Sequence, residues 1–178
     1  MQGHLLFEKI SIVAEAAQPA MTGLTIREAS EDDIPAILGV YSASGVESAA
    51  PGAERFTVEE ACAQLALLRS YPSYRIFVAL LDGRVAGTYE LLIMDNLAKR
   101  GKKSGVVEDV AVDPECQGRG VGRAMMLHAR EQCRLAGCYK LTLSSNLRRE
   151  DAHRFYEALG FERHGFSFRV ELERLEPF

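Results

Sequence analysis

Val106-Val107-Glu108-Asp109-Val110-Ala111-Val112-Asp113-Pro114-Glu115-Cys116-Gln117-Gly118-Arg119-Gly120-Val121-Gly122-Arg123 is the stretch from which the rest of the chain can be read. Val106, Val107, Val110, Ala111 and Val112 form a nearly continuous apolar run, as a strand covered on both faces requires. Asp113-Pro114 closes it, because proline cannot extend a ladder. Gly118, Gly120 and Gly122 then stand at every second position and leave no Cβ beside their N–H groups. A helix follows, with Met126, Ala129, Cys133 and Ala136 as its buried stripe and Gly137 as its C′ residue. A glycine loop that opens a helix is an anion cradle, since unpaired N–H groups meet the positive dipole end there. A phosphate or pyrophosphate is the expected ligand.

Two familiar phosphate loops do not fit. A P-loop needs lysine and then Ser or Thr after its last glycine, and Arg123-Ala124 stands there. A dinucleotide fingerprint needs glycine at its sixth position, which counting from Gly118 is Arg123. A ligand-free turn would not need three alternate glycines interleaved with arginines. The segment Gln117 to Gly122, directly after a V-x-V-D-P strand end, resembles the pyrophosphate loop of the GNAT family of N-acetyltransferases. That resemblance implies acetyl-CoA as cosubstrate, with its pyrophosphate on the backbone of Gln117, Gly118, Arg119, Gly120, Val121, Gly122 and Arg123. It also implies that the pantetheine arm lies along Val110, Ala111 and Val112, where the N–H near Val110 could polarise the thioester carbonyl.

Length and composition set the frame. A chain of 178 residues, 47% hydrophobic and 26% charged, suits one soluble α/β domain with a real core. A net charge of −4 argues against a nucleic-acid surface. Cys62, Cys116, Cys133 and Cys138 make no C-x-x-C and, like the four histidines, no metal-ligand spacing, so no metal is expected. They read as reduced thiols of a cytoplasmic protein. No apolar run approaches the ~20 residues of a membrane span. Residues 1–20 read as an N-terminal extension and 21–178 as the acetyltransferase domain.

In chain order, Leu24 to Ala29 alternates as a strand, and Ser30 with Glu31, Asp32 and Asp33 opens a helix bearing Ile34, Ile37, Leu38 and Tyr41. Ser42 to Arg55 reads as a loop. Thr57 and Glu60 form a capping box for a second helix. Tyr74–Leu81 and Arg84–Met94 read as strands joined by the type I′ signal Asp82-Gly83. A basic loop, Asp95 to Lys103, leads into the central strand. Beyond Gly137 come a strand with Tyr139, Leu141 and Leu143, a helix from Arg149 to Leu159 with Gly160 as C′, and a last strand in which Phe166, Phe168, Val170 and Leu172 alternate. The order β-α-α-β-β-β-α-β-α-β(β), a mixed α/β (α+β) sheet flanked by helices, resembles the GNAT fold from Leu24 onward.

Three groups could carry chemistry. Residues 144–161 resemble the family's N-x-x-A-x-x-F-Y-x-x-x-G-F segment, which implies Tyr156 as proton donor to the leaving thiolate and Asn146, Ala152 and Phe155 as cofactor contacts. A phenol can make that donation; a packed core tyrosine beside Phe155 and Leu159 is the lesser alternative. Asn146 could equally be a turn residue. Glu108 and Asp109 are adjacent carboxylates in an apolar strand, expected one to each face. One of them could deprotonate the incoming ammonium, directly or through water, or hold the substrate cation, and the residues leave open which; an ion pair with Lys or Arg is the structural alternative. His128 is expected to be solvated, and His153 with Arg154 to lie on a charged helix face, with contact to phosphate or substrate as the alternative.

The acceptor is read from resemblance. Glu108 to Val112 and Gly137 to Lys140 resemble glucosamine-6-phosphate N-acetyltransferases, though that branch places an aspartate where Ser144 stands. Leu143 to Asn146 and Asp151 to Tyr156 resemble aminoalkylphosphonate N-acetyltransferases, which differ at Glu108 and Gln117 to Gly120. Both imply a small amine bearing an anionic group, with Arg148, Arg149 or Lys99 to Lys103 as anchors. A protein, peptide or aminoglycoside amine is the alternative, as is a non-catalytic acyl-CoA-binding regulator. The family also implies a homodimer, paired through the C-terminal strands.

Overall fold

Asp82 and Gly83 both hold positive φ, 52° and 80°, the paired left-handed geometry that a two-residue hairpin needs. They join β2 (Tyr74–Leu81) to β3 (Arg84–Met94), the antiparallel centre of the sheet. The computed structural model describes residues 23–46 and 56–170. The extension 1–20 and most of the expected loop before Thr57 lie outside those residues.

β1 (Leu24–Glu28) pairs antiparallel with β2, and β4 (Lys103–Val112) antiparallel with β3. β5 (Cys138–Leu143) runs parallel to β4, so the sheet order is β1-β2-β3-β4-β5. A parallel neighbour demands a crossover, and α3 (Val121–Leu135) supplies it. Its buried residues, Val121, Met125, Met126, Ala129 and Cys133, pack with Phe77, Tyr89, Leu91 and Val107 on one face of the sheet. Each of those methionines contributes roughly 1.5–3 kcal/mol by leaving water. Phe155, Tyr156 and Leu159 of α4 (Glu150–Ala158) and its C-terminal turn join the same cluster.

The opposite face is covered by α1 (Ile34–Ser44) and α2 (Val58–Ser70), whose Ile34, Ile37, Ala61 and Leu65 meet Ile76 and Val78. A 3₁₀ turn over Glu31–Asp33 leads into α1. The Ser30 N–H and hydroxyl donate to Asp33 Oδ2 at 2.7 and 2.8 Å. Arg27 grips the same carboxylate through two bonds of 2.6 and 2.8 Å and holds it down to about 2. At α2 the capping box forms: Thr57 N–H donates to Glu60 Oε2 (2.8 Å), and Glu60 N–H to Thr57 Oγ1 (3.2 Å).

Two expectations are corrected. Phe166, Phe168 and Val170 form no strand; residues 161–170 are irregular and these side chains are 89%, 92% and 64% exposed. Alternation shows which residues would share a face, but a strand exists only where a neighbour pairs its backbone, and none does here among the described residues. Leu172 lies outside them. His128 is not solvated either. Its Nδ1 is 2.6 Å from the Tyr89 hydroxyl, its ring meets Phe77 edge-on, and burial lowers its pKa.

Candidate active site

The loop between β4 and α3 is tied down at its start. The Asp113 side chain accepts the Glu115 N–H at 2.9 Å, and the Asp113 carbonyl accepts that of Cys116 at 2.8 Å. Gly118 and Gly120 then turn through φ of 72° and 78°, which side-chain-bearing residues rarely adopt. Gly120 is the N-cap of α3, and the first helical bond runs from the Ala124 N–H to its carbonyl at 3.0 Å. The N–H groups of Val121, Gly122 and Arg123 therefore have no helical acceptor. A Cβ on Gly118 would meet nothing within 4 Å, so the loop is open above it. A Cβ on Gly122 would stand 3.3 Å from Phe155 Cζ and 3.6 Å from Val112 Cγ2, which shows where the loop rests on α4 and β4. Val121 is 1% exposed, its side chain packed in the core under α3. Arg119 lies 3.7 Å from Asp82, an exposed pair of little energetic weight.

β4 and β5 part beside this loop. Their last paired residues are Val107 and Leu143. Past that point the β5-facing edge of Glu108–Val112 has no strand partner among the described residues. Two residues beyond Leu143, the Ser145 hydroxyl is the one buried side-chain polar atom among the described residues without a hydrogen bond. Asn146 serves the turn: its Oδ1 accepts the Arg148 N–H, and its carbonyl accepts the Arg149 N–H and a bond from His153 Nε2, each at 2.9 Å. Arg154 pairs with Asp151 and Glu150, a charged helix face as expected.

Tyr156 packs edge-on to Phe155 and Phe161, with ring centroids 5.1 and 5.7 Å away. The residue is only half-buried, and its hydroxyl makes no hydrogen bond among the described residues. Burial raises its pKa, against a smaller lowering by Arg149. It is thus a phenol whose hydroxyl no described residue claims, left open to solvent or a ligand.

The carboxylates depart from expectation. Thr88 faces Ala111 and Glu90 faces Glu108, so Asp109 and Val110 together stand opposite Tyr89. This is a β-bulge, and Asp109 takes φ +47° to make it. The alternation that would send Glu108 and Asp109 to opposite faces is broken. Both charges bear on the same cluster on the α1 side: Glu90 with Tyr41 and Tyr74. Both residues are exposed, while Glu90 is 8% exposed. The sheet still strips enough water from the Glu108 carboxyl to raise its pKa, with Asp109 adding to the effect.

Glu90 accepts a short hydrogen bond from the Tyr74 hydroxyl and a long one, 3.5 Å, from Tyr41. Sequence reasoning missed all three residues. The available signal was one glutamate in the otherwise apolar second half of β3, Tyr89-Glu90-Leu91-Leu92-Ile93-Met94. No group of three or more His, Cys, Asp or Glu among the described residues is arranged to hold a metal ion.

Comparison with known proteins follows this geometry. Residues 46–161 match the acetyltransferase (GNAT) family. The chain is 37% identical over 98 residues to a glucosamine 6-phosphate N-acetyltransferase of Trypanosoma brucei brucei, covering 55% of this chain and 65% of that protein. It is 32% identical over 101 residues to an aminoalkylphosphonate N-acetyltransferase of Salmonella typhimurium, covering 57% and 65%. The match thus spans slightly less than two thirds of these relatives' length. A solved acetyltransferase of Trypanosoma brucei superposes with a TM-score of 0.70 at 30% identity, over 84% of this chain and 99% of that one.

Proposed function

The chain belongs to the acetyltransferase (GNAT) family, and from that premise we propose that it transfers the acetyl group of acetyl-CoA directly to a primary amine. The observation that carries this reading is the parting of β4 from β5 next to a helix start with unclaimed N–H groups. Acetyl-CoA brings an acyl group already activated as a thioester. The N–H groups of Gly118 to Arg123 bind its pyrophosphate, and the free edge of β4 at Val110 to Val112 holds the pantetheine arm. The buried Ser145 hydroxyl, without a partner among the described residues, fits a polar ligand in the gap. The Val110 N–H orients and polarises the thioester carbonyl. Tyr156 gives its proton to the departing sulfur, and the carboxylates of the sheet receive the amine.

The acceptor class follows the relatives' names. We infer a small amine carrying a phosphate or phosphonate, its ammonium drawn to the carboxylates and its anionic end to the basic residues at Lys99 to Lys103 or at Arg148 and Arg149. Mixing the protein with acetyl-CoA and a panel of amines, and following thiol release, is expected to give turnover with phosphorylated or phosphonylated amines above that with peptides and aminoglycosides. A preference for peptides or aminoglycosides would replace the acceptor class, and release with no amine would remove the transfer itself.

We also propose a homodimer. Phe166, Phe168 and Val170 are exposed apolar side chains, and β5 is an edge strand of the sheet among the described residues; both call for cover. Light scattering at micromolar concentration is expected to give twice the chain mass; a monomer at every concentration would refute this.

A further inference from the structure

Asp33 and Glu90 are the two buried carboxylates among the described residues, 6% and 8% exposed. Their surroundings differ in kind. Asp33 has the two-pronged Arg27 and is a structural ion pair. Glu90 has no cation within ion-pair distance among the described residues. Its oxygens take phenol hydrogens instead, from Tyr74 on β2 and Tyr41 on α1. Glu108 faces it from β4, with Asp109 next along the bulge. Three elements thus direct two phenols and two further carboxylates at Glu90, and none of them supplies a positive charge. A buried carboxylate so placed is costly unless it has work to do.

On the reading that the chain acetylates an amine, we propose that Glu90 is the proton acceptor for the incoming ammonium, reached through the Tyr74 hydroxyl. The ammonium passes one proton to the Tyr74 oxygen while Tyr74 passes its own to Glu90. The neutral nitrogen then bonds to the acetyl carbon, and the carbon–sulfur bond breaks. The sulfur takes a proton from Tyr156, which regains one through solvent from the acylated nitrogen. Glu90 returns its proton to water, so one proton is released per acetyl group moved. Tyr41 on the second oxygen keeps the carboxylate from turning. Glu90 acts through Tyr74 and is a positioning residue; Glu108 and Asp109 maintain its basicity.

The protonation states agree with these roles. Burial first, then Asp109 and Glu108, raise the Glu90 carboxyl, against hydrogen bonds from Tyr74 and Tyr41 that lower it. Burial and Glu90 raise both phenols, so each keeps its proton at neutral pH and remains a donor. Glu90 must be ionised to accept, so the rate falls as pH drops through its raised pKa.

Glu90→Gln keeps an oxygen for both tyrosines and removes only the basicity. It is expected to lower kcat/KM by roughly 10²-fold or more, to leave acetyl-CoA affinity unchanged by calorimetry, and to flatten the acidic limb of the pH–rate profile. Tyr74→Phe is expected to slow turnover and move that limb to higher pH, because the bond that lowers Glu90 is gone. A folded Glu90→Gln protein with the wild-type rate and acidic limb overturns the proposal. Should Glu90→Gln not fold, an unchanged rate and limb in Tyr74→Phe overturns it instead. A wild-type chain that binds acetyl-CoA yet acetylates no amine brings down the underlying reading as well, a result distinct from an active enzyme indifferent to Glu90.

Discussion

Tyr156→Phe is expected to lower kcat by roughly 10²–10⁴-fold while acetyl-CoA affinity stays within about twofold. The substitution removes one hydroxyl that makes no hydrogen bond among the described residues and leaves the ring against Phe155 and Phe161. Packing is therefore preserved, and thermal melts of the two proteins should nearly coincide. The pH dependence separates chemistry from structure. Burial raises the phenol, so in the wild type the proton needed by the sulfur is lost only as pH climbs above the usual phenol value of about 10. That alkaline limb should vanish in the mutant. The acidic limb should persist, because it reports the carboxylate side. A folded Tyr156→Phe protein with wild-type kcat would return Tyr156 to the core.

Gly120→Val is expected to weaken acetyl-CoA binding by about 100-fold or more. Gly120 sits at φ 78° as the N-cap of α3, and a β-branched residue there costs about 1–3 kcal/mol unless the turn unwinds. Unwinding moves the N–H groups that follow. Each charge-assisted bond they make to a phosphate contributes about 1.5–3 kcal/mol, and about 1.4 kcal/mol is a factor of ten in affinity. The strain falls at the helix start, while Met125, Ala129 and Cys133 deeper in α3 hold their core contacts, so circular dichroism should show a folded protein. Arg119→Ala serves as the control. Its guanidinium is half-exposed and leans on Asp82, so its loss should cost far less. Calorimetry that gives Gly120→Val the wild-type affinity would rule out this loop as the pyrophosphate site.

The parts legible in the sequence were those governed by local rules. Asp82-Gly83 demanded a hairpin and formed one; Thr57 and Glu60 demanded a capping box and formed one. Gly137 and Gly160 take the positive φ that a helix C′ position favours. The glycine turn into α3 depends only on spacing within one turn of chain, and its geometry too could be read. Contacts across the sheet could not. Glu90 became visible only once β3 and β4 were in register, because nothing near it in sequence says that Tyr41 and Tyr74 will arrive from two other elements. His128 shows the same limit: the buried stripe of α3 was clear, but not that Tyr89 would reach the histidine beside it. The strand expected at residues 166–172 failed for a related reason, since alternation specifies a face and not a partner.

The bulge at Asp109 also changes how β4 must be counted. Before it, odd-numbered positions turn toward α3, as Val107 in the core and Gly105 against Cys133 show. After it, even-numbered positions do, since Val110 and Val112 join that core. One inserted residue reverses the parity of the strand midway. A substitution scan along β4 should therefore show its apolar requirement jump from odd to even positions between Val107 and Val110. Deleting Asp109 would put the whole strand back on a single parity and still leave Val107, Val110 and Val112 toward α3 and Glu108 opposite Glu90, so it would remove the bulge and one carboxylate while sparing the core pattern. A residue added to β4 without such a bulge would instead turn Val110 and Val112 to the other face, so an uncompensated insertion would do more damage than most changes of residue type.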